Sequence, residues 1–308
     1  MRRPVLLIAV VVAAACVAAA NFREAGPPAG DVVSRALPIS RPGTSRQELA
    51  RTVADMTARV QSRSDDTAAV LLLSDALLRV QRVNSDGRAV IIAEEHLRRL
   101  LEQRPSQYEV RRMLGAVLLS QHRFGEAVAE AERARAADPR DPWNYGVIGD
   151  GAIELGDYER AFDAFDRMGQ LAPGPAAYAR TSYGLEIKGD LGAALDYMRM
   201  AADGTSPNDP ESQAWHYTQI GDLLLQLGRV RDARLEYERA ALTFPEHPLA
   251  IQGLARVRII EGDLTGARLM LQQQLAKAPT PDLAAAIGDL CVALREPDAA
   301  QPYFRMVE

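Results

Sequence analysis

Cysteine, histidine and aromatic residues are scarce in this chain. Among 308 residues there are two Cys and four His, and Phe, Trp and Tyr together make up 6%. Two thiols cannot build a disulfide scaffold or a cysteine-rich zinc domain. Four histidines leave little material for metal or general-base chemistry. An excess of positive charge is also missing: 36 Lys and Arg stand against 41 Asp and Glu, a net −5. That balance argues against a nucleic-acid binder held by phosphate contacts. What is present is a hydrophobic fraction of 47%, ordinary for a folded chain, at a length that suits one long domain or two shorter ones.

The first twenty residues read MRRPVLLIAVVVAAACVAAA. Arg2 and Arg3 form a basic start, an apolar run follows, and Ala18 and Ala20 offer the small residues of a signal-peptidase site. Residues 1–20 are therefore read as a secretory signal cut after Ala20. Two alternatives stay open. The apolar stretch from Pro4 to Ala20 reaches the lower length limit for a membrane anchor. Ala13-Ala14-Ala15-Cys16 loosely resembles an acylation box. Cleavage would remove two arginines and Cys16, leaving 34 basic and 41 acidic residues, a net −7, with Cys291 as a lone thiol. Residues 21–45 carry Gly26-Pro27-Pro28-Ala29-Gly30 and Arg41-Pro42-Gly43, a composition expected of a flexible linker.

The remainder, 46–308, is periodic. Gly115 and Gly149 stand 34 residues apart, as do Ala127 and Ala161, Pro139 and Pro173, Gly228 and Gly262, Ala233 and Ala267, and Pro245 and Pro279. A fixed period with small residues, helix-ending glycines and closing prolines marks stacked helical units. The best units are 108–141, 142–174, 175–213, 214–247, 248–280 and 281–308. One glycine interval is irregular, because Gly189 and Gly228 are 39 apart, which places an insertion near 203–212. Residues 66–80 and 88–103 form a weaker pair with a lengthened turn at 81–87, preceded by a single amphipathic helix near 47–61.

The pattern resembles the tetratricopeptide repeat family. The unit from Pro142 carries Tyr145, Ile148, Gly149, Gly156, Ala161, Phe165 and Pro173. The unit from Ala214 carries Ile220, Gly221, Leu224, Gly228, Ala233, Tyr237, Ala240 and Pro245. The resemblance implies an all-α superhelical solenoid of antiparallel helix pairs, with no unit able to bury its apolar face alone. It also implies that the first helix of each pair lines a concave groove. The predicted groove residues are Arg112, Trp143, Asp150, Arg180, Tyr183, Glu186, Trp215, Gln219, Asp222, Arg256 and Asp289. Aromatic and Arg side chains are common binding anchors, and the three aspartates would favour a segment carrying Lys or Arg. The alternative is that these acids only pair with Arg180 and Arg256 along the groove. The family's clamp for a C-terminal carboxylate needs an Asn at the ninth position of a unit, and none of the six units has one.

Other clusters read as structural. Gly146-x-x-Gly149-x-Gly151 lacks the preceding strand of a phosphate loop and suits close helix packing. His96, His122, His216 and His247 lie in separate units without metal-ligand spacing. Cys291 sits between Leu290 and Val292 on an apolar helix. Asp150 and Glu154 share a helix face, a common arrangement on solvated helices. The expected protein is a non-enzymatic exported scaffold for a protein or peptide segment, with no catalytic residue, metal or cofactor and no nucleic-acid partner. Membrane association would arise only from an uncleaved or acylated N-terminus. Pro297 and Pro302 near the last helix are expected to weaken it, and an uncapped last repeat suggests a second reading, docking to a complex or self-association.

Overall fold

A computed structural model describes residues 46–245 and 247–307. The signal, the linker and Cys16 lie outside the described residues. Those described form fifteen helices and no strand. The chain opens with α1 (Arg46–Ser62). Seven antiparallel pairs follow: α2 (Thr67–Asn84) with α3 (Gly87–Gln103), α4 (Tyr108–Ser120) with α5 (Phe124–Ala137), α6 (Pro142–Glu154) with α7 (Tyr158–Leu171), α8 (Pro175–Ile187) with α9 (Leu191–Gly204), α10 (Pro210–Gln226) with α11 (Val230–Thr243), α12 (Pro248–Ile260) with α13 (Leu264–Lys277), and α14 (Pro281–Ala293) with α15 (Pro297–Phe304).

Local sequence sets the helix limits. Proline opens α6, α8, α10, α12, α14 and α15, where its missing N–H costs nothing. The carboxylates of Asp157, Asp190 and Asp263 accept the N–H groups of Arg160, Ala193 and Gly266, so each caps the helix after its turn. The preceding Gly156, Gly189 and Gly262 are left-handed, with φ of 80°, 83° and 87°. In the turn after α4 the same role falls to His122, with φ of 58°. A Cβ is strained in that region, so this turn is formed at a cost of about 1 kcal/mol.

One expectation needs correction, and the insertion is divided between two elements. The stretch at 81–87 is not a lengthened turn. Helix α2 runs on to Asn84, Ser85 turns left-handed at φ 54°, and the Asp86 carboxylate caps α3 through the Arg88 N–H at 3.1 Å. The extra residues near 203–212 are only partly a loop. They also extend α10 by a turn, so it begins at Pro210 rather than near Ala214, where Asp209 accepts from Ser212 N–H. Pro302 does lie inside α15, which is only eight residues long.

Between helices, packing follows size. The Phe165 ring occupies the space a Cβ on Gly149 would need, at 2.3 Å, and the Tyr237 ring does the same at Gly221 and Gly253, at 2.5 and 2.3 Å. Tyr237 is thus wedged between two successive first helices, α10 and α12, and is fully buried. One cluster of buried side chains joins distant parts of the chain. Leu49 of α1 and Ala76 and Val83 of α2 share it with Tyr217, Ile220 and Phe244. The array therefore curls until its first helices meet the α10–α12 region.

Candidate groove

The first helices α6, α8 and α10 line a groove of about 820 Å³, and α2 contributes Arg82 to its wall. Seven of the predicted residues meet here: Trp143, Asp150, Arg180, Tyr183, Glu186, Trp215 and Gln219. Arg112, Asp222, Arg256 and Asp289 do not line it.

Each of the absent four has a physical reason. Arg112 is buried, its Nε 2.6 Å from Asp141 Oδ2 and its guanidinium carbon 4.7 Å from the Trp143 ring centre. It holds the tryptophan from behind rather than facing the groove. Asp222 pairs with Arg256 of the next unit and accepts a hydrogen bond from the Tyr237 hydroxyl at 2.6 Å. Burial pushes the Asp222 carboxyl up, and Tyr237 and Arg256 oppose this. Asp289 is exposed on α14, in the last unit.

Inside the groove, Arg180 binds Asp150 through Nε at 2.9 Å and Nη2 at 2.6 Å, and its Nη1 donates to the Ala176 carbonyl at 3.0 Å. Of the two readings open for the aspartates, internal pairing therefore describes Asp150 and Asp222. Glu186 accepts from Gln226 Nε2 at 2.5 Å. The Tyr183 hydroxyl stands 3.5 Å from Glu154, and burial, followed by the Glu154 and Glu186 charges, raises its pKa. Trp143 and Trp215 are half-buried, and the Trp143 indole nitrogen is buried without a hydrogen-bond partner. Trp215 meets the His216 ring edge-on at 5.1 Å.

Sequence reasoning missed another part of this wall. Arg82, Thr205, Asp209, Glu211, Ser212 and His216 also line the groove. Asp209 and Glu211 fall in the stretch where the 34-residue period breaks, and that departure was the available signal. Arg82 carried none, because its partner Glu211 is 129 residues away. Overall the wall presents four carboxylates against two guanidiniums.

The contact between the Thr205 hydroxyl and the His216 imidazole is not set for nucleophilic chemistry. Thr205 Oγ1 donates to the Ala201 carbonyl at 2.7 Å, so its proton is committed. His216 Nδ1, 3.1 Å from that oxygen, is then the donor to it. Among the described residues no cluster of His, Cys, Asp or Glu could hold a metal ion. Nor is any described helix long and apolar enough to cross a membrane. Cys291 is a buried free thiol.

The family model described as tetratricopeptide repeat matches residues 92–142 and 218–284. Those two stretches carry tetratricopeptide repeats. Solved structures with the same fold include the APC/C hetero-tetramer Cut9–Hcn1, at a TM-score of 0.67 and 18% identity. That match covers 86% of this chain, which spans half the length of the matched one. The type IV pilus biogenesis factor PilW matches at 0.54 and 18% identity, over 64% of this chain and 90% of its own. A thermophilic tetratricopeptide-repeat protein of Thermus thermophilus matches at 0.50 and 17%, over 60% and 99%. No curated protein matches the sequence. At these identities the structural likenesses establish the fold alone.

Proposed function

We propose that this chain is an exported tetratricopeptide-repeat scaffold, without catalytic activity, that holds an extended protein segment in the groove formed by α6, α8 and α10. The observation that carries this is the convergence of Trp143, Tyr183 and Trp215 on one open groove of about 820 Å³. Half-buried aromatic rings supply large apolar contact at little entropy cost, which suits them as anchors. The excess of carboxylates favours a segment carrying Lys or Arg. With Asp150, Asp222, Asp209 and Glu211 facing the chain's own arginines, that preference rests on Glu186 and the exposed Glu154. Export rests on the signal-like residues 1–20.

A photo-crosslinking residue at Gln219, on the groove wall, tests the reading in the native host. The control position is Leu242, which is 84% exposed and lies outside the groove. Adducts at position 219 that disappear with Trp215→Ala support groove binding. Adducts at 242 alone would overturn it.

A further inference from the structure

One side of the groove is bounded by the chain's own α2. Arg82 of α2 reaches Glu211 at the start of α10, with Nε to Oε1 and Nη2 to Oε2 both at 2.9 Å. Arg79 joins from the same helix, its Nη1 3.8 Å from Asp209 and 4.0 Å from Glu211. Glu211 and Arg79 are both buried. Beside this polar knot, Leu49 and Val83 pack toward Phe244, and the Arg46 guanidinium lies 5.9 Å from that ring.

This seam differs from the joints between neighbouring pairs. There, long faces interlock around buried side chains such as Phe165 and Tyr237. Here, crevices of about 260 Å³ and about 10 Å³ run along the contact, the first between Arg46, Val83 and Asn84 on one side and α12–α13 on the other. A contact with voids and a buried ion pair at its centre is less stable than a filled apolar joint. Opening there separates the ion pairs and the contact of Leu49 and Val83 with Phe244. Its central groups, Arg82, Asp209 and Glu211, also line the groove. The groove and the seam thus share one set of charges.

We propose that the seam between α2 and α10, latched by Glu211 to Arg79 and Arg82, opens to admit the bound segment. The proposal rests on the groove reading for its purpose, but the opening itself does not depend on any partner. A segment whose own cation binds Glu211, or whose carboxylate binds Arg82, would compete with the latch and shift the population toward the open form.

The test uses the full chain without a partner, so its failure is separable from failure of the groove reading. Hydrogen–deuterium exchange is followed in the wild type, in Glu211→Gln and in Arg82→Ala, whose half-exposed side chain keeps the second variant mild. In both variants, amides of 76–84 and 205–213 should exchange about tenfold faster than in the wild type, with no change at 110–153. Both tryptophans of the chain lie in the groove, so acrylamide quenching of their fluorescence should rise in the variants. Unchanged exchange at 76–84 and 205–213 in both variants would overturn the latch. Unchanged quenching in both variants would overturn the link between latch and groove.

Discussion

The Arg180 guanidinium grips the Asp150 carboxylate of the preceding helix pair with two nitrogens, at 2.9 and 2.6 Å. Both side chains remain partly open to the groove, at 25% and 30% exposure. The pair ties α8 to α6 and neutralises the centre of the groove floor. Asp150→Ala should therefore cost little stability, about 0.5–1 kcal/mol, because a partly solvated ion pair gains little over its hydrated groups. Urea denaturation measures this. A loss several times larger would mean that the pair holds the superhelix together.

Glycine positions should divide sharply. Gly221→Ala forces a Cβ against the Tyr237 ring, 2.5 Å away, and the ring is held on its other side by Gly253. Overpacking of this kind costs about 1–3 kcal/mol. Gly169, inside α7, has nothing within 4 Å of the added carbon. Gly169→Ala should stabilise by about 0.5–1 kcal/mol through helix propensity. Thermal or urea midpoints that move in the same direction for both variants would refute this packing account.

His122 occupies a left-handed turn where four other turns place glycine: Gly156, Gly189, Gly228 and Gly262. His122→Gly should raise stability by about 1 kcal/mol through release of that strain. The gain is reduced by loss of the edge-on contact with Phe124, ring centres 5.5 Å apart. A decrease in the denaturation midpoint would show that the ring contact outweighs the backbone strain.

Acid should loosen the region around α10. Burial pushes the imidazoles of His216 and His247 down to about 4, from 6.5. Between those values the unfolded chain binds protons that the folded chain excludes, so stability falls as pH drops through the window. The loss at pH 5 is on the order of 2 kcal/mol for each histidine. Glu211 adds to this at lower pH. Burial tends to raise its pKa, but the Arg82 charge and hydrogen bonds outweigh it, so its net shift is downward. Its stabilising contribution is present above the ordinary carboxylate range and disappears as pH falls through the lowered value. Urea midpoints at about pH 7.5 and about pH 5 measure the effect. His216→Gln should roughly halve the drop across that interval, and an equal drop in the variant would exclude the imidazole as its source.

The sequence by itself determined the repeating architecture, because the helix-forming instructions are local. Aspartates such as Asp157 and Asp190 cap the helix that follows them, Gly156 and Gly189 end the one before, and Gly149 and Gly221 leave room for a ring from the partner helix. Each acts over a few residues or within one helix pair, so a 34-residue period is enough to reveal it. The same phase brought Trp143, Tyr183 and Trp215 to one face. Which charges that face presents was decided only in three dimensions. Asp222 is spent on Arg256 and Tyr237, Arg112 is turned behind Trp143, and Glu211 receives Arg82 from 129 residues away. Such pairings depend on the accumulated curvature of the stack, which no single repeat encodes. Small rotations between successive pairs add up until α2 meets α10, and Arg82 reaches the groove wall only there.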